Sequence, residues 1–180
     1  MRHRISFPFG ILLVAALTSG GCEPGGMLGL PTPTAASAFS RTPEIPDDAE
    51  ALVQSLVDAV NLERESVGLA PLTTSPALSS DAEAYADRLI ARDFFAHTDP
   101  LSGATLAARA KKSGYLFFKV GENLAAGQQD VESVMADWMD SATHRSNILD
   151  PDFTEIGIAV RDGGRFGRYW VQEFGRPLGQ

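Results

Sequence analysis

A chain of 180 residues has room for one domain with appendages, and 44% apolar with 21% charged residues is a globular balance that excludes disorder throughout. The net charge of −8 becomes −10 once an N-terminal segment carrying Arg2 and Arg4 is removed. That field repels phosphate backbones and anionic membrane surfaces, so no nucleic-acid partner is expected.

The chain opens on Arg2-His3-Arg4, continues through an uninterrupted apolar run at 11–17, and reaches the small residues Ser19-Gly20-Gly21. This is the pattern of an export signal over residues 1–21, and the apolar run is too short to span a bilayer, which takes about 20 apolar residues. The small residues lead into Cys22, the only cysteine, which has no partner for an internal disulfide. The stretch resembles a bacterial lipobox, with Ser19 where Leu is usual and Leu17 two residues further upstream. Cys22 is therefore expected to be the acylated first residue of a membrane-tethered lipoprotein facing out of the cytoplasm; the alternative is a secreted soluble protein with an incidental thiol. Residues 22–46 are rich in Gly, Pro, Thr and Ala, with Pro24, Pro31, Pro33, Pro43 and Pro46 blocking regular structure, as in a flexible tether.

The folded domain is expected over 47–180. Asp47 and Asp48 cap a first helix, in which Leu52, Leu56, Val60 and Val67 recur at helical spacing until Gly68. A second helix starts at Ser75-Pro76 and runs to about Asp93, with Leu78, Ala82, Tyr85, Ala86 and Leu89 as its stripe. A third is predicted over 102–112 and stops at Gly114. Asp130 opens a fourth, which buries Val131, Val134, Met135 and Trp138. Beyond Pro151 the period changes to two: Ile156, Ile158 and Val160 alternate, Gly163-Gly164 offers a hairpin turn, and Tyr169, Val171 and Glu173 alternate with Trp170, Gln172 and Phe174. A short strand at 117–120 joins them. Helices early and antiparallel strands late predict an α+β fold with a small antiparallel sheet between helices.

Once the signal segment leaves with His3, two histidines remain, His97 and His144. His97 follows the second helix, His144 lies at or beyond the end of the fourth, and Gly121-Glu122-Asn123 follows the short strand. Two imidazoles and a carboxylate in one cleft suit a divalent ion such as zinc with an open position, or a metal-free cluster in which Glu122 orients one ring and raises its pKa. The spacing alone does not choose between them.

Asn61-Leu62-Glu63-Arg64 with Gly68 and Pro71-Leu72, Phe95-Ala96-His97, Gly121-Glu122-Asn123-Leu124, Trp138 with His144-Arg145-x-Asn147-Ile148-Leu149, Phe153-x-x-Ile156-Gly157, and Tyr169-Trp170-Val171-Gln172-x-Phe174 form an ordered series. The series resembles the CAP superfamily, which groups cysteine-rich secretory proteins, antigen 5 and pathogenesis-related 1 proteins and is also called the SCP domain. It covers about residues 47–176. The short His-Arg-x-Asn-Ile-Leu form and the lack of disulfides resemble the bacterial, YkwD-like branch.

The resemblance implies a three-layer α-β-α sandwich whose cleft carries two His and two acids, a site that binds zinc or other divalent ions in some members. At matched positions these are His97, Glu122 and His144; the second acid is absent, since Ser141 stands where animal members place Glu, with Asp140 beside it. On one continuous helix Asp140 and Ser141 would lie a turn before His144. Asn61, Arg64, Asn123, Trp138 and Arg145 are expected to support the motifs structurally. No Gly-x-Ser-x-Gly elbow surrounds Ser141, which weighs against a serine hydrolase. Three functions follow: a binding module for a metal, a small apolar molecule or a cell-envelope component; a metal-dependent hydrolase using His97, Glu122 and His144; or a surface scaffold. Binding is favoured over catalysis.

Overall fold

The computed structural model describes residues 39–179; the export signal, Cys22 and most of the tether lie outside the described residues. The elements are α1 (Ala49–Ser66), β1 (Thr73–Thr74), α2 (Pro76–Arg92), α3 (Leu106–Lys112), β2 (Phe117–Ala126), α4 (Val131–Asp140), α5 (Ala142–Ile148), β3 (Glu155–Gly163) and β4 (Gly167–Pro177). The sheet order is β1-β3-β4-β2, with β3–β4 and β4–β2 antiparallel and the two-residue β1 parallel to β3. The sheet is thus mixed at one edge. β1 is too short to carry a periodic signal, and its register is set by the chain leaving α1.

Alternation along the strands sorts side chains to two faces. Leu124, Ala159, Tyr169 and Val171 pack against Ala82, Tyr85, Ala86, Leu89 and Ile90 of α2. Ala125, Ile156, Ile158, Val160, Trp170 and Phe174 pack on the other face against Leu56 and Val60 of α1, Val134 and Trp138 of α4, and Ile148 of α5. Helices therefore cover both faces, giving an α+β three-layer sandwich. Close approach of α2 depends on Gly157, where an added Cβ would collide with the Leu78 carbonyl carbon and Ser79 N.

Arg64 is the tie between segments. Almost fully buried, it donates to the carbonyl oxygens of Ala70, Ile148, Asp150 and Phe153. Asn61 acts over a shorter span, its amide donating to Leu72 O at 3.1 Å and its Oδ1 accepting from Leu72 N at 2.8 Å. β2 is one of the two edge strands, and two of its carbonyls are occupied by side chains: Leu124 O accepts from Trp138 Nε1 and Glu122 O from Asn147 Nδ2. Such caps protect a sheet edge from pairing with other chains.

Three local expectations are corrected. The third helix starts at Leu106, with the Thr105 hydroxyl accepting from Ala108 N, because Asp99 folds the preceding segment by accepting from Leu101 N and Ser102 N. Gly121-Glu122-Asn123 lies within β2, not after it. The fourth helix ends at Asp140: Ser141 is extended, with ψ 119°, and caps a separate α5. Asp140 and Ser141 are consequently not stacked one turn before His144. Arg145 holds the break by donating to Met139 O at 2.6 Å.

Candidate functional site

His97 follows the left-handed cap of α2 at Asp93, in a segment steadied by Tyr85, whose hydroxyl donates to Ala96 O at 2.5 Å. Its Nδ1 lies 2.8 Å from Glu122 Oε1. The other ring edge is left for solvent or ligand, for the His97 side chain is 59% exposed while that of Glu122 is 2% exposed. A carboxylate behind an imidazole stabilises its charged form, and the His97 pKa is raised accordingly, burial opposing.

His144 comes from the other side of β2. Asn123 Nδ2 donates to His144 O at 3.1 Å and to Gln172 Oε1 at 2.9 Å, while Asn147 Nδ2 donates to Asn123 Oδ1 at 2.8 Å. These buried amides fix α5 against the sheet edge. Partial burial lowers the His144 pKa, and charge on His97 lowers it further. The two rings thus diverge, with His97 drawn towards the cation and His144 towards the neutral base.

The second oxygen of Glu122 pairs with Arg109 of α3, a residue absent from the sequence-based site. The Arg109 guanidinium also lies 3.5 Å from Glu173 Oε1 and 3.8 Å from Asp81 Oδ2, stacks on the Tyr85 ring at 3.3 Å from its centroid, and donates to His97 O at 3.2 Å. One buried cation therefore faces three buried carboxyl groups. Burial and the neighbouring acids push Glu173 well above the usual carboxylate range, and burial also raises Asp81. Asp81 Oδ2 and Glu173 Oε2 are buried without a hydrogen-bond partner, a setting that favours the neutral acid over the carboxylate at Glu173. A signal for this cluster existed: Glu173 sits at an inward position beside Tyr169 and Val171, and Asp81 lies within the apolar stripe of α2.

A divalent ion fits the expected ligand set poorly. Both Glu122 oxygens are engaged, and among the described residues no three His, Cys, Asp or Glu side chains gather where they would hold a metal. Asp140 is exposed at the end of α4, and the Ser141 hydroxyl lies 3.1 Å from that of Thr143. Glu122 has the place of an orienting group behind His97.

The family model for the cysteine-rich secretory protein family (CAP) matches residues 57–174. The chain is 34% identical over 142 residues to YkwD of Bacillus subtilis (strain 168), covering 79% of this chain and 54% of that one, so it spans about half the length of that relative. An extracellular protein containing an SCP domain from Bacillus anthracis superposes with a TM-score of 0.64 at 26% identity, over 71% of this chain and 41% of that chain. An outer surface protein from Borrelia burgdorferi shares the fold, with a TM-score of 0.67 at 24% identity over 73% of this chain and 96% of its own. With the family model spanning most of the folded domain and the motif series in order, this chain belongs to the cysteine-rich secretory protein (CAP) family.

Proposed function

We propose that this chain is an exported, envelope-facing binding domain, tethered through acylated Cys22, whose cleft at His97 and His144 receives a small ligand and does not hydrolyse it. The observation that carries the reading is the engagement of Glu122: with one oxygen on His97 and the other on Arg109, it is placed to orient the ring and balance the buried cation rather than to face an ion or water. Glu122 favours the cationic, donor form of the exposed His97 ring and burial favours the neutral form of His144, which has an acceptor nitrogen, a pairing suited to a ligand with a weakly acidic or hydroxyl head. An extracytoplasmic location is supported by the leader and by the extracellular relative from Bacillus anthracis.

The test is to load the mature protein with zinc, dialyse it, and measure retained metal and turnover of fluorescent casein. Substoichiometric zinc and no zinc-dependent turnover are expected. One equivalent surviving dialysis and lost in both His97→Ala and His144→Ala, or zinc-dependent cleavage, contradicts the proposal. The tether is checked by the intact mass of membrane-extracted protein, which should begin at acylated Cys22; a soluble, unmodified chain ends that part.

A further inference from the structure

A groove of about 830 Å³ runs between α2 and α3, and neither His97 nor Glu122 lines it. Its volume suits a small organic molecule, since ligand pockets span roughly 300–1,000 Å³. Four cations line it: Arg88 and Arg92, one turn apart on α2, and Arg109 and Lys112, one turn apart on α3. Three acids also line it, and each is committed. Asp99 pairs with Arg88 and accepts from Leu101 N and Ser102 N, Asp87 accepts from Arg161 Nε at 2.9 Å, and Asp81 accepts from the Ser113 hydroxyl at 3.4 Å and faces Arg109 at 3.8 Å.

What remains is positive. Among the described residues neither Arg92 nor Lys112 pairs with a carboxylate. Arg109 Nε, on a side chain 9% exposed, lies 3.8 Å from Asp81 Oδ2, beyond hydrogen-bond reach, and has no hydrogen-bond partner; the Ser113 hydroxyl donates to Asp81 Oδ1 at 3.4 Å. A buried guanidinium N–H without an acceptor carries a desolvation cost that a ligand oxygen would remove. In a chain of net charge −8, these two cations without a carboxylate partner, Arg92 and Lys112, stand out locally.

We infer that the α2–α3 groove is a second ligand site, separate from the histidine cleft, which takes an organic anion by seating a carboxylate or phosphate group on Arg109 Nε, Lys112 and Ser113. The two anion chemistries share the donor set, and the remainder of the groove towards Arg92 accommodates the body of the molecule.

Acetate and inorganic phosphate are the probes, each titrated into isotopically labelled protein at low ionic strength while backbone amide shifts are followed. Saturable shifts confined to Ala108, Lys112, Ser113 and Ala84 are expected, and whichever probe saturates at lower concentration identifies the class. Lys112→Glu should weaken binding at least tenfold. Lys111→Glu makes the same charge change on α3, but Lys111 lies over the Phe117 ring, outside the groove lining, and should leave affinity within about twofold. Shifts that never saturate, that map elsewhere, or that weaken equally in both variants reveal diffuse charge attraction and overturn the assignment. Both positions are exposed, so neither variant endangers the fold.

Discussion

Glu122 and Glu173 stand directly opposite each other in the β2–β4 ladder, on one face of the sheet, with the Arg109 guanidinium reaching both. Like charges at such a position repel, and burial removes the water that would screen them. Arg109 makes the pairing tolerable.

Arg109→Met should therefore be among the most destabilising single changes at the site, at about 3–5 kcal/mol, because it strands buried carboxylates without their cation. Urea unfolding measures it. Adding Glu173→Gln to that variant should recover part of the loss, as residues in one network are not additive. A cost below about 1 kcal/mol would remove Arg109 from this role.

The raised pKa of Glu173 makes stability depend on pH in the sense opposite to that of a salt-bridged acid. A carboxyl whose folded pKa is raised binds its proton more tightly when folded, so its favourable contribution is complete below the unfolded value near 4.5 and is lost as pH rises through the folded value. Urea midpoints of the parent protein should fall across that interval. Glu173→Gln, which carries no proton to lose, should flatten the fall and gain on the parent as pH rises. Parallel midpoint curves for the two proteins would exclude a raised Glu173 pKa in the folded state.

The two histidines should titrate on opposite sides of the ordinary value of 6.5, His97 above it and His144 below. Proton NMR of the rings reads both. Glu122→Gln should lower the His97 pKa, since its first cause is the hydrogen bond from that carboxylate. For stability the signs oppose: the His97 contribution is present below the unfolded value and lost as pH rises through the folded one, whereas that of His144 is present above the unfolded value and lost as pH falls through the folded one. Indistinguishable ring titrations would mean that the Glu122 contact does not form in solution.

Arg64→Met preserves bulk but leaves four carbonyl oxygens, those of Ala70, Ile148, Asp150 and Phe153, without their donor. At roughly 1–3 kcal/mol for each buried unsatisfied group, with relaxation recovering part, a loss of about 3 kcal/mol or more is expected by thermal or urea unfolding. Faster amide exchange should appear first in α5 and the loop before β3.

Much of this architecture could be read before any coordinates. Helical spacing in α1, α2 and α4 and the period-two pattern of β3 and β4 are local properties, expressed within a few residues of where they act. The motifs holding His97, Glu122 and Asn123 were equally visible. The separate α5 was not, because the break at Ser141 is held by Arg145 on Met139 O and by Asn147 on the sheet, contacts that exist only after α5 has docked.

The sequence by itself determined the family, the layers and two of the residues that meet in the cleft. Only the tertiary structure decided what Glu122 does. Its partners Arg109 and His97 come from separate segments, and the raised pKa of Glu173 arises from strand register and from burial, neither of which exists until distant parts of the chain pack together.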